Sequence, residues 1–196
     1  LAPTSEVYLL MRAGMILPVE EHSQLLRDYL AAAPSEPRQP KDNCRVILNG
    51  TFCEQPPLGL IKAIEMSGCY VVDDDFMLVT RWLLDDVPTT GDPLEQLASA
   101  FLHRSAETAA KYQPSLERKG RFLVDAVRHS GAEGVIFAAP SFCDPALLDR
   151  PMLEARLERA DVPHIGFKYA ENSAQLQPVR EQAGTFADSL KLWSTP

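Results

Sequence analysis

Four short apolar runs, separated by stretches long enough to form helices, constrain this chain more than any other feature. They lie at 45–49 (RVILN), 70–72 (YVV), 134–139 (GVIFAA) and 163–169 (PHIGFKY). A continuous apolar run of that length, closed by turn residues such as Asn49-Gly50, is the pattern of a strand buried on both faces of a parallel sheet. The intervening stretches carry helical spacing instead. Residues 58–67 place apolar side chains at 58, 60, 61, 64 and 66, with Gly68 as the stop. Asp92-Pro93 opens a helix through about 102 with proline in its first turn. Further helices are predicted over 115–130, ended by Gly131, over 147–160, and in a last segment carrying Val179, Phe186, Leu190 and Trp193.

Strand–helix alternation with right-handed crossovers predicts an α/β chain, most simply a flavodoxin-like three-layer domain. Its four-stranded parallel sheet should have the order 2-1-3-4. Two helices precede it, because apolar residues recur at helical spacing over 7–30 with a break at Pro18, where Glu20 and Glu21 supply acids for a first turn. Residues 33–42, rich in proline, serine and charge, read as a linker. The expected division is therefore 1–40, a helical lead-in and linker, and 41–196, the α/β domain.

With 196 residues, 45% of them hydrophobic, the chain can bury one core. Its 27 acidic against 19 basic residues, a formal charge of −8, and the lack of any Lys/Arg block argue against nucleic acid as a partner. No run approaches the roughly 18 apolar residues that cross a bilayer. The start, LAPTSEVYLLMRAG, lacks a secretory layout, so a cytoplasmic location away from membranes is expected. It also opens mid-pattern and without Met, as a piece of a longer chain would.

Parallel α/β sheets hold ligands beyond the carboxyl ends of their strands, at the switch point between the first and third. The loops due there are GTFCEQPP, with Cys53, and PSFCDP, with Cys143, each a Phe-Cys-acid triplet flanked by proline. Pro140 and Pro145 would fix the backbone around Cys143, as suits a thiolate held toward something outside the domain. Pro140, Ser141 and Phe142 are its candidate surroundings. Cys53 precedes a helix whose positive end would favour a thiolate or an anion, or it merely sits in a tight turn. The four cysteines, Cys44, Cys53, Cys69 and Cys143, form no CxxC pair, which excludes zinc ribbons and clusters held by one short segment. Cys44 and Cys69 abut strand starts and read as core packing. The acidic triplet 73–75 reads as a solvated strand end, with metal binding or a basic partner as alternatives. His22, His103, His129 and His164 show no ligand spacing. There is no GxGxxG after a strand, no GxxxxGK[ST], no GxSxG and no HExxH, and Ser141 has no paired histidine.

The segments RVILNGTFCEQPPLGLIKAIEMSGCYVVDDDF and EGVIFAAPSFCDPALLDRPMLEARLERADVPHIGFKYAEN resemble the family of benzoyl-CoA reductase and 2-hydroxyacyl-CoA dehydratase subunits. The resemblance spans essentially the whole chain. The ending QLQPVREQAGTFADSLKLW is similar to the gamma-type (C) subunits of the reductase branch, with Ala183, Gly184 and Thr185 where the dehydratases tend to carry a Thr-Arg pair. It implies a two-domain subunit of which this is the carboxy-terminal part. It also implies a 4Fe-4S cluster with Cys143 as one iron ligand and the remaining ligands in the preceding domain. The implied activity is an ATP-dependent, ferredoxin-linked reduction of benzoyl-CoA to a cyclic dienoyl-CoA in anaerobic aromatic catabolism. The implied partners are a second cluster-bearing subunit of the family and ATP-hydrolysing, electron-activating subunits, which would carry ATP and Mg. A fragment with one ligand is expected to be inactive by itself. The alternatives are a 2-hydroxyacyl-CoA dehydratase component, and a noncatalytic α/β interaction module whose cysteines are plain core. Arg180 is either a polar contact carried over from the family or part of a solvated helix face.

Overall fold

The computed structural model describes residues 2–50, 56–75, 86–104, 120–170 and 176–193. Among these, four parallel strands form one sheet in the order β2-β1-β3-β4, where β1 is Cys44–Asn49, β2 Cys69–Asp74, β3 Gly134–Pro140 and β4 His164–Tyr169. The expected flavodoxin-like order is the order found. The two central strands are the most apolar ones: every residue of β3 is buried, as is all of β1 except Arg45. The edge strands expose part of their length, as strands with a neighbour on one side only do.

Alternation along the central strands divides the core into two layers. Val46, Leu48, Ile136 and Ala138 face α1 (Thr4–Ala13), α3 (Leu58–Met66) and α7 (Gln177–Trp193), where Tyr8, Leu60, Ile61, Ile64, Ala183, Phe186 and Leu190 complete the packing. Ile47, Val135 and Phe137 face α5 (Arg121–Ser130) and α6 (Asp144–Arg159) through Leu123, Val124, Val127, Leu153 and Leu157. Helix α2 (Val19–Ala32) buries none of its residues. It is tethered through Tyr29, whose hydroxyl donates to Glu6 Oε2 at 2.9 Å, while Arg38 Nη2 donates to the same oxygen at 2.7 Å. Arg38 holds the Glu6 carboxyl below its ordinary range.

Helix α4 (Pro93–His103) is capped by Asp92, whose carboxylate accepts from the N–H groups of Leu94 and Glu95. Helix α6 begins at Asp144, three residues before the predicted start. Pro145 falls in its first turn, where a missing N–H costs nothing, and so extends the helix back to Cys143. The predicted helix start near 115 lies outside the described residues, and α5 is described from Arg121. Among the described residues no helix is long and apolar enough to cross a membrane.

Candidate switch-point site

Strands β1 and β3 are hydrogen-bonded neighbours in register through Asn49 and Phe137, so the chain leaves both at the same edge of the sheet. At the end of β1, Gly50 adopts φ +119°, and a Cβ there would lie 3.0 Å from the carbonyl oxygen of Ala138 on β3. A glycine is required by both the backbone conformation and the close approach.

The turn is gripped from β2. The carboxylate of Asp75, only 5% exposed, accepts from the N–H of Gly50 at 3.0 Å to each oxygen and from Asn49 Nδ2 at 3.0 Å. In return the Asp75 N–H donates to Leu48 O. The acidic triplet is therefore no solvated strand end. Asp75 is a structural acceptor, and burial pushes the Asp73 carboxyl up despite the N–H it accepts from Asp74. On the far side of the loop, the buried hydroxyl of Tyr8 donates to Pro56 O at 2.8 Å. Cys53 itself lies outside the described residues, but both flanks of its segment are fixed, Gly50 by Asp75 and Pro56 by Tyr8.

The second loop is equally ordered. Ser141 donates to Tyr169 O through both its N–H (2.8 Å) and its Oγ (2.9 Å), which ties the end of β3 to the end of β4. Its hydroxyl is thereby committed to structure. The Cys143 N–H donates to Pro140 O at 3.0 Å, and Cys143 O accepts from Leu147 as the first turn of α6 closes. Cys143 stands at the amino-terminal cap of that helix, and its sulfur makes no capping hydrogen bond.

The thiol does not project outward as expected. Cys143 is 1% exposed and packs among Ala139, Ala146 and Leu147, whereas its neighbour Phe142 is 93% exposed. The turn presents the aromatic ring to the surroundings and the sulfur to an apolar niche. A soft sulfur at the positive end of a helix is the donor type one iron of a cluster takes, but at 1% exposure the turn has to swing the sulfur outward to reach iron held from outside the domain. The described residues do not bring together three His, Cys, Asp or Glu side chains, so they offer a single ligand and not a set. Cys44 and Cys69 are the core residues they were expected to be: both are buried, and burial pushes the Cys69 thiol up to about 12. Arg180 is exposed on α7. Reading the sequence alone missed Asp75 as the clamp of this edge, although three consecutive acids after a buried strand were its signal.

The fold and this edge define a three-layer α/β domain with a cysteine-bearing turn at the switch point. Residues 2–190 match the model of the 2-hydroxyglutaryl-CoA dehydratase, D-component family, and the chain belongs to it. The C subunit of benzoyl-CoA reductase from Thauera aromatica is 66% identical over 98% of this chain and 50% of its own length. The (R)-phenyllactyl-CoA dehydratase beta subunit of Clostridium sporogenes is 25% identical over 97% of this chain and 49% of its own. For the beta subunit of (R)-2-hydroxyglutaryl-CoA dehydratase from Acidaminococcus fermentans the figures are 23%, 97% and 50%. The chain spans about half the length of the curated relatives it matches.

Proposed function

We propose that this chain is the carboxy-terminal part of a subunit of an ATP-dependent, ferredoxin-linked benzoyl-CoA reductase, which converts benzoyl-CoA to a cyclic dienoyl-CoA. The observation that carries the reading is the gap between 66% identity to a benzoyl-CoA reductase subunit and 23–25% to dehydratase subunits of the same family. The same identity favours an enzyme subunit over a noncatalytic interaction module. The dehydratase reading draws on the family's name and on the relatives at 23–25% identity, and an assay of benzoyl-CoA against 2-hydroxyacyl-CoA substrates separates the two.

In this reading Cys143 supplies one thiolate to a 4Fe-4S cluster whose other ligands come from outside the described residues. When bound, the cluster supplies one-electron chemistry at low potential. The chain's own residues fix the donor: Pro140 and Tyr169 hold the turn, Ala139, Ala146 and Leu147 keep water from the sulfur, and Asp75 sets the neighbouring loop. Phe142 extends from the same turn as an apolar contact for whatever covers this edge. Electrons from reduced ferredoxin arrive through partner subunits that hydrolyse ATP with Mg, and the assembly includes a second cluster-bearing member of the family. The setting is anaerobic and cytoplasmic.

The test is anaerobic iron and sulfide analysis with electron paramagnetic resonance on the full-length subunit assembled with its partners, comparing wild type with Cys143→Ser. The reading expects loss or conversion of one cluster together with loss of ATP-dependent benzoyl-CoA reduction. An unchanged cluster content and an unchanged rate would remove Cys143 from the site.

A further inference from the structure

Helices α5 and α6 border an open cleft of about 550 Å³ on the outer side of the smaller core layer. Arg121 and Arg128 line it from α5, two turns apart on one face, and Arg156 and Arg159 line it from the last turns of α6. Asp125 is the one acid in the lining. It lies 3.8 Å from Arg128, the Arg128 side chain 71% and the Asp125 side chain 46% exposed, so this solvent-screened pair offsets little of the charge. Among the described residues Arg121, Arg156 and Arg159 have no ion pair. Four guanidinium groups and one carboxylate leave this cleft at about +3, on a chain whose formal charge is −8. Concentrating like charge in this way raises the local potential and favours an anion.

The chemistry of the lining selects the kind of anion. Guanidinium forks match the paired oxygens of phosphate and bind them bidentately. A protein partner would need buried aromatic or large apolar anchors, and the apolar part of this lining is only Val124 and Ala160. The size is that of a small-molecule site. Arg156 lies about 20 Å along α6 from Cys143 at ~1.5 Å rise per residue, so the cleft is separate from the switch-point edge.

We propose that the α5–α6 cleft binds the phosphate groups of a nucleotide-type small molecule. Two sources share this chemistry: the phosphorylated end of a coenzyme A thioester and a free nucleotide. The proposal rests on the arginines of the cleft and holds whichever reaction the subunit serves.

Equilibrium dialysis of radiolabelled pyrophosphate against the full-length subunit at low ionic strength tests it. Wild type is expected to bind at one saturable site. Arg156→Gln and Arg159→Gln should each weaken binding about tenfold or more, the loss of a charge-assisted hydrogen bond. Arg156→Lys, which keeps the charge but loses the fork, should fall between. Arg27→Gln, on the exposed side of α2, changes the net charge equally and should leave binding as it was. Displacement by coenzyme A but not by pantetheine would assign the site to the thioester's phosphorylated end; displacement by ADP but not by coenzyme A would assign it to a free nucleotide. Either supports the proposal. It is overturned by an absence of saturable binding, by cleft variants that bind like wild type, by an equal loss in Arg27→Gln, or by variants that keep pyrophosphate but lose assembly with the partner subunits.

Discussion

Replacing Asp75 with asparagine tests the account of the switch-point edge most directly. Its carboxylate is 5% exposed and receives the Gly50 N–H on both oxygens and Asn49 Nδ2 on one. Asparagine keeps the shape but has one acceptor oxygen, and its amide turns donors toward donors. At least one hydrogen bond to a charged acceptor is lost, which costs about 1.5–3 kcal/mol. Removing a buried charge returns some desolvation energy. That gain does not reverse the sign, because Gly50 and Asn49 stay buried and still need an acceptor. For a chain of this size the loss corresponds to a fall in Tm of roughly 3–12 °C. Urea unfolding at neutral pH should show a lower midpoint with an unchanged slope. Midpoints for Asp75→Asn and Asp75→Ala within about 0.5 kcal/mol of wild type, the range of an ordinary surface substitution, would refute the clamp.

Three further outcomes follow from the same packing. Gly50→Ala, which forces a side chain into φ +119° and within 3.0 Å of Ala138 O, should cost about 1–3 kcal/mol; combined with Asp75→Asn it should cost less than the sum, since both disrupt one turn. Leu157→Ala removes a 0% exposed side chain from the α5–α6 layer and should cost about 2–5 kcal/mol by thermal denaturation. The Cys69 thiol, pushed up to about 12 by burial, has a folded pKa above its unfolded one of about 8.5. Its share of stability is whole below that unfolded value and is lost as pH rises toward 12. Urea midpoints of Cys69→Ala should therefore fall less steeply than those of wild type above about pH 9; parallel curves would sink the assignment.

Period and composition make the layers of this domain legible from the residues alone. The runs VIL within RVILN and GVIFAA are unbroken by polar residues because both their faces are covered, and that identifies them as the central strands before any contact is known. With right-handed crossovers, the simplest flavodoxin-like winding has the order 2-1-3-4 and brings the Cys143 turn to the carboxyl edge. Cys44 and Cys69, at strand starts, read as core packing and are buried. What only the tertiary structure decided concerns groups whose partners are distant in sequence. Asp75 looked like one of three solvated acids until β1 placed Gly50 and Asn49 against it. Cys143 looked outward-facing until α6, starting at Asp144, folded Ala146 and Leu147 over the sulfur and left Phe142 exposed. Nothing in the sequence singles out the arginines of α5 and α6, and only the packing of the two helices brings them to one cleft. Local pattern encodes which face of an element is apolar; where a polar group points depends on what the rest of the chain brings beside it.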